Sequence, residues 1–175
     1  LTAALEDLSR LLNRWPRYPK AQLLAGEIYE KMGNVDKALE AYQKETVYHP
    51  DQYLPFLKMA RLEIEKGLYA QALQHLEQAR NREAKDENIF FLMGMAHLKL
   101  GHWEHAIAFF KSSLDRNPNL AEAHLWLGYL YKERDQRASA RDAFQTYLHL
   151  SPRSPNADDI KREIEDLGAP PEEEE

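Results

Sequence analysis

Small residues recur along this chain at a constant interval, and this recurrence constrains the fold more than any other feature. Glycine or alanine occurs every 34 residues, at Gly26, Ala60, Gly94 and Gly128. A second series of alanines keeps the same interval, at Ala38, Ala72, Ala106 and Ala140. A fixed period of this length is typical of tandem arrays, in which each unit packs against its sequence neighbours. The chain is therefore predicted to be an array of like units.

One unit, residues 86–119, shows what each repeat contains. Apolar residues recur at three- and four-residue steps on both sides of Gly101, which is the period of an amphipathic helix. Gly101 lies where a helix C-terminus favours a residue that tolerates positive φ. Pro118 closes the unit, because proline lacks the N–H that a continuing helix needs. Each unit is therefore predicted to be a pair of antiparallel helices.

Gly94 is predicted to be the contact point of its helix pair. A glycine in a helix interior costs about 1 kcal/mol relative to alanine, and close approach of a partner helix is the usual reason for one. Ala106 is the matching small residue on the second helix. The side chains expected around this contact are Phe90, His97 and Phe110.

The units resemble the tetratricopeptide repeat, which has two helices in a period of about 34 residues. The stretches that match it best are AEAHLWLGYLYKE from Ala121 and GHWEHAIAFFKSSLDRNP from Gly101. The resemblance implies an all-α fold, an α-solenoid in which tetratricopeptide-type helical hairpins form a right-handed superhelix. It also implies that the first helices of successive units line a concave groove that binds proteins.

The repeat register predicts a single solenoid at residues 1–167, followed by an acidic tail. Its predicted parts are the second helix of a truncated repeat at 1–18, full repeats at 19–52, 53–86, 87–120 and 121–154, and a capping helix at 155–167. Residues 168–175 are expected to be disordered, since they have little apolar content to offset the entropy of ordering. The first helix lacks its repeat partner, so its leucine-rich face is expected to be exposed unless another chain covers it.

Several residues depart from the repeat. Glu45 occupies a position that is usually small, so the end of its helix is expected to splay. Glu63 is either a buried functional acid or a carboxylate that reaches the surface or pairs with a neighbouring base. We favour the second interpretation, because a lone buried carboxylate is costly. With no closing proline at Ala84, the helix from Tyr69 is expected to run past Arg82.

Local signals near the end of the array carry further expectations. Asn119 and Glu122 have the spacing of a capping box, and Ser154, followed by a proline, indicates a helix start. Asp135 stands where the other turns have glycine, at some cost in strain. Tyr147 is larger than its counterparts in the other units, so the last helix pair is expected to open slightly.

Composition argues against several classes of function. The net charge is −6, four of the negative charges lie in Glu172–Glu175, and no basic stripe indicates nucleic-acid binding. The longest apolar run, near residues 89–96, is far shorter than the roughly 18 residues of a membrane span. The absence of cysteine removes disulfides but does not distinguish the cytoplasm from an oxidising compartment. The chain begins inside a repeat, so any targeting signal is expected to lie upstream.

No catalytic set and no cofactor motif is found. A cysteine nucleophile, a glycine-rich phosphate loop and a nucleophile elbow are all missing. His102 and His105, with Glu104 between them, share a helix region, but two histidines without a third ligand are a weak metal signal, and solvated turn residues are favoured. His97 and His124 occupy places where the resembled family usually has aromatic residues, so both are expected to pack in the core. We expect neither enzymatic activity nor a bound metal in this segment.

The groove implied by the resemblance is the expected site of function. At several of its positions, large apolar side chains stand where typical members of the family carry asparagine. The predicted partner-binding residues are Leu57, Arg61, Phe91, Met95, Leu98, Leu125, Trp126 and Tyr129. The lysine–asparagine clamp with which chaperone-binding members hold a C-terminal carboxylate is not expected, because Leu23 and Glu27 stand at its positions.

Three interpretations of these groove residues remain open. They bind a protein partner, namely a peptide or an amphipathic helix, or they bind another copy of this chain, or they pack between adjacent first helices. The function expected is non-catalytic protein–protein interaction. The alternatives are a structural module that self-assembles through the groove or the N-terminal edge, and the targeting arm of a larger enzyme.

Overall fold

The computed structural model describes residues 1–83 and 85–168. These residues form ten α-helices and no β-strand. The helices are α1 Thr2–Arg14, α2 Ala21–Lys31, α3 Val35–Tyr48, α4 Leu54–Glu65, α5 Tyr69–Arg82, α6 Glu87–Lys99, α7 Trp103–Leu114, α8 Ala121–Glu133, α9 Arg137–Leu150 and α10 Ala157–Asp166. The predicted all-α fold of paired helices is confirmed.

The chain divides into two compact units, Leu1–Leu92 and a second that begins at Met93. In the first unit, α1 packs on α2, α2 on α3, α3 on α4 and α4 on α5. In the second unit, α7 packs on α8, α8 on α9 and α9 on α10. Within each unit, these helices that follow one another in the chain are therefore neighbours, as in a tandem array. Among the described helices, none combines the length and the apolar character that a bilayer span demands.

An aromatic ring fills the space opposite the repeat glycines of the second unit. A Cβ atom added to Gly94 would lie 2.7 Å from the ring of Phe110, which is completely buried. A Cβ atom on Gly128 would lie 2.5 Å from the ring of Phe144. The three atoms nearest to a Cβ on Gly94 all belong to Phe110. The close contact predicted for Gly94 therefore exists, and the atoms nearest to it belong to Phe110, one of the side chains predicted around it.

The turn between the two helices of each repeat uses a left-handed residue. Gly33, Gly67 and Gly101 have φ values of 73°, 77° and 74°. Asp135 takes the same conformation, with φ 53°. A residue with a Cβ atom pays roughly 1–2 kcal/mol for this conformation, so the strain predicted at Asp135 is confirmed.

Glu45 joins the end of α3 to the start of α2. Its side chain is completely buried, and its carboxylate accepts hydrogen bonds from the backbone N–H groups of Lys20, at 3.0 Å, and Leu23, at 3.3 Å. N–H groups in the first turn of a helix have no intrahelical acceptor, so the carboxylate acts as a cap. The splaying predicted at Glu45 is wrong, because this larger side chain bonds the neighbouring helix.

Glu63 is buried at 1% exposure and pairs with a histidine. Its Oε2 lies 2.8 Å from Nδ1 of His75, which is on the facing helix α5. The interpretation that Glu63 pairs with a neighbouring base is therefore confirmed, although it does so inside the first unit and not at the surface.

Helix α5 ends at Arg82 and does not run on as predicted. The next residue, Glu83, has an extended backbone, with φ −143° and ψ 93°. The Arg82 guanidinium donates to the carbonyl oxygens of Gln78, at 2.6 Å, and Pro50, at 2.5 Å. These bonds join the last turn of α5 to a neighbouring loop. Ala84 lies outside the described residues.

The capping box predicted at Asn119 is wrong. Helix α8 begins at Ala121 with Leu120 as its N-cap, and no side chain caps it. The Asn119 N–H instead donates to Oδ1 of Asn117 at 3.1 Å, which is a turn that precedes the helix. The helix start is therefore one residue later than the box requires.

The helix start predicted at Ser154 is also wrong. Helix α10 begins at Ala157, and its N-cap is Asn156. The Asn156 side chain does not cap the helix, because its Oδ1 accepts a hydrogen bond of 2.5 Å from the hydroxyl of Tyr147. Tyr147 is 6% exposed, so its extra size joins α9 to the segment before α10.

Helix α10 packs its apolar stripe on the last helix pair. The buried cluster there consists of Ala121, Ala140, Phe144, Tyr147, Ile160 and Leu167. Arg141 also donates to the carbonyl oxygen of Gly168 at 2.6 Å, which holds the end of this segment against α9. The disorder predicted for the acidic tail concerns residues that, apart from Gly168, lie outside the described ones.

Candidate functional site

The predicted site residues of the first unit are largely engaged by their neighbours. Leu57 is only 8% exposed, which leaves little of it for a partner. Arg61 donates from Nη2 to Oε1 of Glu30 at 2.5 Å, and its Nη1 lies 3.8 Å from Glu65. Phe91 is half-buried on α6.

A network of charged side chains joins α2 to α4 in this unit. Glu30 also accepts a hydrogen bond of 3.0 Å from the hydroxyl of Tyr42, and Lys58 pairs with Glu27 at 3.0 Å. Burial acts to raise the pKa of Glu30, but the hydrogen bonds from Arg61 and Tyr42 outweigh it and lower the pKa overall. Burial and the nearby charge of Glu30 raise the pKa of Tyr42. Arg61 is therefore a positioned ion-pair partner within its own unit.

The predicted site residues of the second unit are all half-buried. Met95 and Leu98 lie on α6, and Leu125, Trp126 and Tyr129 lie on α8. Trp126 and Tyr129 are three residues apart and therefore share a helix face. Their ring centroids are 6.2 Å apart with the planes inclined by 55°. The second unit thus presents two adjacent aromatic side chains on one turn of α8.

Tyr129 also contacts the core of its unit. Its ring meets Phe144 edge-on, with centroids 5.1 Å apart, and Leu125 packs against the same buried cluster. Tyr129 and Leu125 therefore pack in part against the core formed by α8, α9 and α10. The core fixes one side of each, while part of each surface stays accessible.

Charged groups of α10 border this aromatic pair. Lys132 on α8 forms an ion pair with Glu163. Burial, and then the negative charges of Glu163 and Asp159, raise the pKa of Tyr129. The Tyr129 hydroxyl therefore stays protonated at neutral pH and is a hydrogen-bond donor beside an apolar ring face.

Three histidines cluster near the turn between α6 and α7, a contact that the sequence pattern did not predict. Nδ1 of His97 lies 3.3 Å from Nδ1 of His102, and the ring of His97 stacks on His105 with centroids 5.1 Å apart. It also stacks on Phe109, at 5.2 Å and an angle of 8°. The prediction that His97 packs in the core is wrong in part, because its side chain is only half-buried. His102 and His105 are exposed, as expected for solvated turn residues, and both also contact His97.

The cluster does not have the arrangement of a metal centre. Within residues 1–83 and 85–168, no group of three or more histidine, cysteine, aspartate or glutamate side chains is placed to hold a metal ion. Glu104, between two of the histidines, is paired with Arg134 at 2.7 Å. His124, also half-buried and not in the core, has its Nε2 2.9 Å from the carbonyl oxygen of Pro118.

The cluster predicts a pH dependence of stability. Burial, and then the charges of His105 and His102, lower the pKa of His97 below its usual 6.5. The folded state therefore binds fewer protons than the unfolded state, so the free energy of unfolding should rise as the pH increases from the lowered pKa to about 6.5. Urea unfolding across this interval measures the rise. The variant His97→Phe keeps the stack on Phe109 and should give a flatter profile; an equally steep profile would contradict the prediction.

Comparison with known proteins identifies the family that the chain matches. The sequence profile described as Tetratricopeptide repeat matches residues 1–52, 57–112 and 91–155. Among curated proteins, the chain is 24% identical over 127 residues to the general transcriptional corepressor trfA of Dictyostelium discoideum, covering 71% of this chain and 9% of that protein. It is 22% identical over 152 residues to the BBSome complex member BBS4 of Bos taurus, covering 87% and 29%. The chain therefore spans less than a third of either relative.

Solved structures share the fold. A crystal structure of MamA has a TM-score of 0.79 at 17% identity, covering 86% of this chain and 88% of that one. YrrB, described as a tetratricopeptide repeat protein with an unusual peptide-binding site, has a TM-score of 0.76 at 19% identity, covering 92% and 83%. At these identities, the likeness establishes the helical-repeat fold.

Proposed function

Because this chain belongs to the tetratricopeptide repeat family, we propose that it is a non-catalytic scaffold that binds a peptide or an amphipathic helix. We propose that the contact lies in the second unit and is formed by Met95, Leu98, Leu125, Trp126 and Tyr129. Leu57 and Arg61 are left out of the contact, because the one is buried and the other is paired with Glu30.

The observation that carries this proposal is the pair of adjacent aromatic rings on α8. Trp126 and Tyr129 are half-buried, and Tyr129 is fixed from behind by Phe144. Tryptophan and tyrosine are enriched among the few residues that supply most of the binding energy of protein interfaces. A ring that the core already holds loses little conformational entropy when a ligand covers it.

The surroundings of the pair support a segment of protein as the ligand. The ion pair between Lys132 and Glu163 borders the rings with one charge of each sign, so polar groups of a ligand find partners at the edge of an apolar contact. An amphipathic helix or a peptide with apolar anchors has this arrangement of groups. The peptide-binding site reported for YrrB, which has the same fold, supports the same class of ligand.

Selection of peptides from a random library tests the proposal. Peptides that bind the wild-type chain should lose affinity at least thirtyfold in the variant Met95→Glu with Trp126→Ala, because truncation of an anchor costs about 2 kcal/mol or more. Calorimetric titration measures the loss. Trp103→Ala is the matched control, since Trp103 is a 42% exposed tryptophan on another helix, and it should leave affinity unchanged.

Two further measurements decide what the result means. Circular dichroism and thermal melting establish whether each variant is folded. If Met95→Glu unfolds the chain, the peptide affinity of the single variant Trp126→Ala tests the proposal instead. Equal affinity of the folded variant and the wild type would overturn the proposal. If the wild type instead dimerises in sedimentation equilibrium and the same changes abolish the dimer, the surface serves self-assembly.

A further inference from the structure

A second cluster of exposed aromatic and cationic side chains lies far along the sequence from the aromatic pair of α8. The last residue of α1 and the α1–α2 loop together have the sequence RWPRYPK, from Arg14 to Lys20. Trp15 is 55% exposed and Tyr18 is 52% exposed. Leu24, on the first turns of α2, is 49% exposed. Large apolar side chains that are this exposed and this close together mark a contact surface more often than isolated ones do.

The loop is held in one conformation by hydrogen bonds. The Tyr18 N–H donates to the Trp15 carbonyl oxygen at 3.0 Å, and the Ala21 N–H donates to the Tyr18 carbonyl oxygen at 3.1 Å. The Lys20 N–H donates to the buried carboxylate of Glu45. Pro16 and Pro19 restrict φ between these anchor points. Because the loop is already ordered, it loses little conformational entropy when a partner binds.

Two recesses adjoin Tyr18. One, of about 440 Å³, is formed by residues 15–19. The other, of about 350 Å³, lies between α1 and α2 and is lined mainly by apolar side chains, including Leu8, Leu11, Leu23 and Leu24. Tyr18 and Pro19 line both. The second recess is large enough to accept a leucine or phenylalanine side chain.

Apart from Glu27, the charged side chains that line the recesses are positive, although the chain as a whole is negative. Arg14 lies over the Trp15 ring and Arg17 over the Tyr48 ring, with 5.7 and 5.8 Å from guanidinium carbon to ring centre. Among the described residues, neither arginine nor Lys20 forms an ion pair.

Two carboxylates that border this loop are already engaged. Glu45 is buried as the cap of α2, and Glu27, which lines the second recess, pairs with Lys58 at 3.0 Å. Three cations in seven residues therefore face solvent without local compensation. A negatively charged ligand is favoured here by its charge.

From these observations we propose that the α1–α2 loop is a second interaction surface, which binds an acidic protein segment. A large apolar side chain of that segment inserts beside Tyr18. The arginines and Lys20 contact the carboxylates of the segment, and the recess between α1 and α2 holds its apolar anchor. A single-stranded nucleic acid would also meet the cations and aromatic rings, but it has no aliphatic group to fill a recess lined by leucines. The observations therefore favour a protein.

Fluorescence anisotropy with defined probes tests this surface. The probe is a labelled synthetic peptide with a leucine–phenylalanine pair flanked by glutamates. It should bind the wild-type chain, whereas a peptide with serines in place of the apolar pair, a peptide with lysines in place of the glutamates, and an oligouridine RNA should not. Tyr18→Ala should weaken binding about tenfold or more, as truncation of an aromatic anchor does.

Matched variants separate charge from fold. Arg14→Ser with Arg17→Ser should weaken binding about tenfold and reduce its salt dependence, while Arg10→Ser, at an exposed arginine of α1 paired with Asp7, should not. The variant Met95→Glu with Trp126→Ala should bind this peptide as the wild type does, so this test is independent of the surface on α8.

Several results would overturn the proposal. They are no binding of the acidic apolar peptide at millimolar concentration, equal binding by Tyr18→Ala once its fold is verified, and stronger binding of the RNA than of the peptide. Sedimentation of the wild-type chain provides a further test. If the wild type is a dimer that the loop variants dissociate, the loop binds a second copy of the chain and not an acidic segment of another protein.

Discussion

Replacing Gly94 with leucine should destabilise the protein by about 3 kcal/mol, the upper end of the usual cost of overpacking. The new side chain would begin 2.7 Å from the ring of Phe110, and that ring is completely buried. Because core side chains are close-packed, the ring has no free volume into which to move. Thermal or urea unfolding measures the loss, and an unchanged midpoint would mean that the helices separate at little cost.

The second repeat contains the natural solution to this packing problem. In the second repeat, Ala60 occupies the position of Gly94, and the smaller Leu76 occupies the position of Phe110. Both Ala60 and Leu76 are completely buried. We therefore expect Gly94→Ala to be destabilising alone and partly rescued by Phe110→Leu. The double variant should be more stable than the sum of the two single losses predicts, by about 1 kcal/mol or more. Additive losses would show that residue 94 and the ring do not share a contact.

The repeat architecture was predictable because its signals are local. The period of apolar residues and the turn glycines predicted two helices within residues 19–52, where the structure has α2 and α3 on either side of Gly33. They also predicted one helix within residues 1–18, where the structure has α1. Both follow from helical periodicity and from end signals within a few residues of each terminus.

Side chains with distant partners were not predictable from one sequence. Glu45 differs from the small residue expected in the repeat, but the sequence does not reveal that the N–H groups of Lys20 and Leu23 donate hydrogen bonds to its carboxylate. The histidine cluster was missed for a related reason. His97 and His102 lie on opposite sides of a turn, and their contact depends on how tightly the two helices close.

The candidate site was predictable in position but not in accessibility. Repeat register placed Leu57 and Trp126 on first helices, where the structure has them. It did not distinguish the buried Leu57 from the half-buried Trp126, since exposure depends on the neighbours of each helix. Whether these residues bind a partner stays a prediction.

Truncation of Glu45 to alanine should destabilise the first unit by about 3 kcal/mol. The change leaves the buried N–H of Leu23 and the partly buried N–H of Lys20 without their acceptor, and an unsatisfied buried donor costs about 1–3 kcal/mol. It also leaves a cavity, because Glu45 has no exposed surface. Removing a buried carboxylate relieves some desolvation, which offsets part of the loss.

The conformation of Lys20 adds to the effect of this change. Its φ of 63° is unfavourable for a residue with a side chain, by roughly 1–2 kcal/mol, and the bond from its N–H to Glu45 helps to hold it. Glu45→Gln keeps the volume of the side chain and one carbonyl acceptor, so it should cost less than the alanine variant. Urea unfolding gives the two free energies, and hydrogen exchange at the Leu23 amide reports the local opening. If Glu45→Ala were as stable as Glu45→Gln, with the same exchange at Leu23, the carboxylate would not be the cap that holds the start of α2.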